Sequence, residues 1–196
     1  MNQAIQVLRQ EHRSISSVLN GLRELARTAQ DPAVRPDFSV FRAMIYYIDA
    51  FPERFHHPKE DEYLFHFLRI RHPDAKPLLD RLQGEHRTGA EKIRTLEQTL
   101  ARYQQGGAKE FASFLAAVED YAEFHWQHMK TEENEVMPLA RKHLTADDWD
   151  AVDAAFLGHT DPMLGIDVGA GFTALFSRIV LIAPPPIGVG PEQRRF

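Results

Sequence analysis

The stretch HHPKEDE, residues 56–62, interrupts an otherwise apolar helical pattern and decides how the chain is read. On either side of it Phe41, Ile45, Ile48 and Leu64 keep steps of three, four or their multiples, the period of a helix with one buried face. His56 and Glu60 fall on that face four residues apart, so an imidazole and a carboxylate stack where core side chains belong. Pro52 and Pro58 flank His56. Each lacks the N–H that would bond to the carbonyl four residues earlier, at Ile48 and Arg54, which predicts a kinked helix around the polar pair.

The same period runs through most of the chain. Ile5, Leu8, His12, Ile15, Leu19, Leu22 and Ala26 form a narrow stripe that fades at DPAVRPD, where prolines and aspartates mark a loop. The second helix, carrying His56 and Glu60, ends near His72-Pro73. A third carries Leu79, Leu82, His86, Ile93, Leu96, Leu100 and Tyr103, closed by Gly106-Gly107. A fourth starts near Lys109 and carries Phe114, Val118, Tyr121, His125, His128, Glu132, Val136 and Leu139. Thr145 with Asp148 is a capping-box-like start for a shorter helix, Ala146 to about Leu157. No strand pattern appears. The expected fold is all-α, an antiparallel up-down four-helix bundle over residues 1–143 with a C-terminal helical extension over 144–196.

Working outward from HHPKEDE also uncovers a repeat. HHPKEDE (56–62) resembles HMKTEEN (128–134), an offset of 128 − 56 = 72, and LRQEHR (8–13) resembles LQGEHR (82–87), an offset of 86 − 12 = 74. Two helix pairs thus recur at nearly constant spacing, with His12, His56, His86 and His128 all on core stripes. Glu132 stands four after His128, as Glu60 stands four after His56. A lone histidine on an apolar stripe is ordinarily a hydrogen-bonded core residue, and one HxxxE an exposed pair. Four such histidines with two matching HxxxE pairs would bury several polar groups without partners unless they hold metal. The chain has no cysteine, so thiolate sites, disulfides and thiol chemistry are excluded, and nitrogen and oxygen donors suit iron, manganese or zinc.

Register in the pairs is set by the repeat. His57 and Asp61 form a second such pair, but their counterparts, Met129 and Glu133, cannot, so His57 is expected beside the ligands or at an interface. His125 and its counterpart Glu53 are candidates for orienting ligands. Glu11 and Glu85, which precede His12 and His86, are expected on solvated helix faces. His66, His72, His143 and His159 have no partner pattern and are expected at the surface or in loops.

The motifs EHR, HHPKEDEYLF, EHR and HMKTEENEVMPLA resemble those of the hemerythrin-like family of HHE cation-binding domains, over roughly residues 1–143. The resemblance implies a four-helix bundle around two iron ions, bridged by carboxylates and an oxo or hydroxo group. Carried over, the ligands are His12, His56, Glu60, His86, His128 and Glu132, with Glu133 the alternative to Glu132 because oxygen-carrying relatives use HxxxxD on the last helix. Those relatives also carry a histidine four after the one on the third helix, where this chain has Ala90. One iron is therefore expected to be short of a protein ligand, its place taken by water, a side chain such as His125, or an exogenous molecule. The implied function is to bind or sense dioxygen or another small diatomic or peroxide ligand; turnover of peroxide, oxygen or nitric oxide is the alternative, and iron storage or regulation a third reading.

Apolar content of 43%, charged content of 26% and a net charge of −5 are those of an ordinary soluble protein with no basic footprint for nucleic acid. No apolar run reaches the length of a membrane span and no signal-peptide core opens the chain, so a cytoplasmic protein is expected. In the tail, Phe172, Leu175, Phe176 and Ile179 make one amphipathic segment, expected to be a lid or a homodimer contact that supplies no metal ligand.

Overall fold

The computed structural model describes residues 2–158, 179–181 and 183. Among these the chain is helical, with no strand. Helix α1 is Gln3–Thr28, and its predicted stripe is buried throughout, from Ile5 to Ala26. After the loop, Asp37 accepts a hydrogen bond from the Ser39 amide and starts α2, a helical run over 38–71. A short 3-10 turn, Pro73–Ala75, leads into α3, Lys76–Gly106, which has Pro77 in its first turn, where the missing N–H costs nothing. Gly107, at φ 68°, turns the chain into α4, a run over 108–143. Helix α5, Ala146–Leu157, begins with the capping box predicted for Thr145 and Asp148.

The two prolines of α2 do change its hydrogen bonding. Pro52 opens a π-helical turn, Pro52–His56, in which the His56 amide reaches back five residues to the Phe51 carbonyl. Pro58 lies in the single α turn His57–Lys59, and a second wide turn, Glu60–Phe65, follows. The fourth helix has its own, Glu132–Val136, ahead of Pro138. In both halves of the repeat, the glutamate of HxxxE is the first residue of a π turn. Such turns shift the helical phase, so residues on either side meet the core at an angle that a regular helix would not allow.

Each long helix packs on its neighbours, α1 on α2, α2 on α3, α3 on α4 and α4 back on α1. Between them lie two apolar clusters. One holds Ile15 to Ala26 of α1 with Phe41, Tyr47, Leu96 and Phe114; the other holds Ile5 and Leu8 with Phe65, Leu79, Val136 and Phe156 of α5. Each fully buried aliphatic or aromatic side chain contributes roughly 1.5–3 kcal/mol, so these clusters carry the fold. The polar residues of the two repeats fill the layer between them. Ile179 and Ala183 pack on the first cluster, while Phe172, Leu175, Phe176 and His159 lie outside the described residues.

Helix α5 lies against α1 and the end of α2. Asp153 accepts from the Ala4 amide at 2.7 Å, and Asp148 accepts two hydrogen bonds from Arg71 at 2.7 and 2.9 Å.

Candidate metal centre

The structure brings the six residues carried over by resemblance into that one layer. His12 from α1, His56 and Glu60 from α2, His86 from α3, and His128 and Glu132 from α4 are all buried. Their donor atoms form two overlapping groups. His12, His56, Glu60 and Glu132 each bring one atom to within 4.8 Å of the others, and so do His57, Glu60, His86 and His128. Glu60 belongs to both. Glu132 also spans them, with Oε2 3.4 Å from His12 Nε2 and Oε1 3.0 Å from His128 Nε2. His86 Nε2 lies 3.0 Å from His128 Nε2 and 3.6 Å from Glu60 Oε2.

Glu132 and Glu133 now separate. Glu132 is 1% exposed and faces the imidazoles, whereas Glu133 is 37% exposed and meets the outer nitrogen of His12. That outer contact is one of a set. His12 Nδ1 pairs with Glu133 at 3.0 Å, His56 Nδ1 with Glu11 at 2.7 Å, His86 Nδ1 with Asp61 at 3.1 Å, and His128 Nδ1 with Glu85 at 2.8 Å. In each case the carboxylate accepts from Nδ1, which orients the ring with Nε2 facing inward, the nitrogen left to bind metal once its proton is displaced. The set obeys the repeat: Glu11 and Glu85 are counterparts, as are Asp61 and Glu133.

Glu11 and Glu85 were expected on solvated faces, and the structure corrects this. Glu11 is fully buried, and also accepts from Lys59 at 3.3 Å, while Glu85 is only partly exposed and bonds Arg81 at 3.0 Å. Their EH dipeptides were the available signal. A residue one step from an inward histidine is rotated about 100° and faces the adjacent helix when helices close into a ring. His57, expected beside the ligands, instead brings a donor atom into the second group. Ala90 is half-buried and offers no donor. His125 belongs to neither group and points Nε2 at Glu53, 3.7 Å away. Of the remaining histidines, His66 is exposed, and His72 and His143 stack 4.1 Å apart at the ends of their helices.

Within the layer the carboxylates and imidazoles shift one another's pKa values. Burial opposes charge on His12, yet Glu132, Glu133 and Glu60 outweigh it and raise its pKa to about 9. Burial likewise opposes charge on His86 and His128, but Asp61, Glu132, Glu60 and Glu85 raise them to about 9 and about 10. Burial and the Glu132 charge push Glu60 up to about 7. Although burial opposes it, the imidazoles of His128, His12 and His86 hold Glu132 well below the usual carboxylate range. Burial, then the charges on His86, His56 and His128, keeps His57 neutral.

Both oxygens of Glu60, both oxygens of Glu132 and His12 Nε2 are buried without a hydrogen-bond partner. A buried carboxylate without a hydrogen bond costs several kcal/mol, and such groups are ordinarily ion-paired, as Glu132 is with His12 and His128, or coordinate a metal. The model of the hemerythrin HHE cation binding domain matches residues 3–140. The chain belongs to the hemerythrin HHE family. A comparison with curated proteins finds no match. The HHE match runs from the start of α1 into the last turn of α4 and stops before α5. No described helix is long and apolar enough to cross a membrane.

Proposed function

We propose that this chain is a non-haem di-iron protein, a four-helix bundle that binds or senses dioxygen or a related small molecule. The carrying observation is that four carboxylate oxygens of Glu60 and Glu132 and His12 Nε2 are buried without a hydrogen bond, on residues that belong to the two donor groups. In this reading His12 and His56 hold one ion and His86 and His128 the other, with Glu60 and Glu132 shared between them. Two irons held by these residues would supply one- and two-electron exchange with a small oxidant. The protein's part is to orient the imidazoles through their outer carboxylates, to exclude bulk water with the two apolar clusters, and to leave a path for a small molecule.

A cavity of about 450 Å³ reaches His12 and is lined by Ser16, Asn20, Trp126, Met129 and Lys130, which supports exchange with solvent on that side. It favours neither binding nor turnover over the other. The test is metal analysis of the purified protein, followed by exposure of an anaerobic, reduced sample to oxygen and then peroxide under visible absorption. Two irons per chain and an absorption change reversed by removing oxygen support binding or sensing. Irreversible oxidation with loss of peroxide supports the enzyme reading. A reproducible stoichiometry near zero rejects both.

A further inference from the structure

In the reading above, the second ion lacks the histidine that oxygen-carrying relatives supply from the third helix, because that position is Ala90. The neighbouring residue on α3 is Gly89, and a Cβ there would stand 3.0 Å from Glu53 Oε1 and 3.5 Å from His125 Nε2. Glu53 of α2 and His125 of α4 thus fill the space that a side chain at Gly89 would take. His57, buried, lays its ring 4.2 Å from that of His86, with 10° between the planes. One of its nitrogens joins the donor atoms of Glu60, His86 and His128 within 4.8 Å.

We propose that His57 is the fifth imidazole of the centre, supplied to the His86–His128 ion by the second helix in place of the third, with Glu53 as its orienting carboxylate. This inference rests on the di-iron reading. Its first support is the orientation rule of the site. The four other imidazoles turn Nδ1 to a carboxylate, and His57 does the same, with Nδ1 3.4 Å from Glu53 Oε2. That contact is longer than the others, and Nδ1 of His57 has no hydrogen bond. The near-parallel planes mean that His57 must turn its ring to share an ion with His86.

The second support is the contrast with His125, which is equally buried and stacked 5.8 Å from His57. His125 presents Nε2, not Nδ1, to Glu53, and has no place in either donor group. The third is the repeat. The counterpart of His57 is Met129, beside the other ion position and lining the cavity that reaches His12. The two positions therefore differ by one donor, three imidazoles on one side and two on the other.

The test replaces His57 by the residue its own counterpart carries, His57→Met, which preserves volume and removes the imidazole. Metal-free wild type, His57→Met and the control His125→Met are titrated with cobalt(II), reading stoichiometry, affinity and the visible bands that report coordination number. The expected result is two ions in wild type and His125→Met. His57→Met should keep one ion and bind the second at least about 10-fold more weakly, with altered bands for that ion. Should His57→Met fail to fold, His57→Gln, which keeps a polar group against Glu53, is read in the same way. Two ions bound to a folded His57 variant at wild-type affinity with unchanged bands would overturn the assignment and leave the di-iron reading intact. Loss of both ions would overturn it as well, because His57 would then act on the whole layer. A wild type that binds no metal would reject the di-iron reading itself.

Discussion

The α1–α2 hairpin and the α3–α4 hairpin carry the same motif at offsets of 72 and 74 residues, yet they do not surround their histidines in the same way. They agree in the outer carboxylates, where Glu11 with His56 matches Glu85 with His128, and Glu133 with His12 matches Asp61 with His86. Beyond that the hairpins diverge. Glu11 is sealed from water and shared with Lys59, whose ammonium sits 4.8 Å over the Phe156 ring of α5, whereas Glu85 shares the exposed Arg81. His57 stands opposite Met129, and Glu53 opposite His125. A repeated helix pair therefore fixes where the imidazoles converge and how they are aimed, while a few non-matching side chains make the two donor groups unequal.

The largest effect is expected where the halves join. Glu60 and Glu132 each face both donor groups, so Glu60→Ala or Glu132→Ala should take metal content from two ions per chain towards none. A full ion retained in either variant, by metal analysis, would show that the halves hold metal independently.

The second effect is on pH. In the metal-free protein His12, His86 and His128 have pKa values of about 9, 9 and 10, above their ordinary 6.5. Raised folded-state values mean stability that is complete below about pH 6.5 and lost as pH climbs through 9 to 10. Glu60, raised to about 7, acts in the same sense, its share lost as pH rises through 7. Metal must displace these protons, so its affinity should move the opposite way, weakening by up to about tenfold per displaced proton for each unit of acidification below pH 9. Thermal melts of metal-free protein and cobalt titrations between pH 6 and 10 check both slopes. A metal-free protein that gains stability towards pH 10 would contradict the charge balance described for the layer.

A third expectation separates the hairpins. Glu11→Gln and Glu85→Gln should each weaken metal binding by roughly 10–100-fold, the usual cost of removing an outer partner. The loss should be greater for Glu11, because Lys59 is then left buried without its carboxylate. Equal losses in paired titrations would mean that burial of Glu11 adds nothing to its orienting role. The smallest effect belongs to α5, which packs on the α1 start and the α2 end. Thr145→Ala removes the cap seen in the structure and should cost about 1 kcal/mol in chemical denaturation, with metal content unchanged.

The sequence by itself determined the helices, their buried stripes and the repeat, because the helical period is local and an apolar face must be covered wherever the chain goes. It also put His12, His56, Glu60, His86 and His128 on those stripes, all of them buried, while leaving Glu132 against Glu133 open. The tertiary structure alone decided their surroundings. His12 meets Glu133 from 121 residues away and His56 meets Glu11 from 45 residues away, contacts set by the rotation and axial register of neighbouring helices. A stripe defines the face of a helix that is buried, but not what stands about 100° around from it. For that reason Glu11 read as solvated and is sealed, and His57 read as peripheral and stands against His86. The π turns at Pro52–His56, Glu60–Phe65 and Glu132–Val136 have the same origin, since only packing against three other helices decides how a chain absorbs a missing N–H and which way its carboxylates then point.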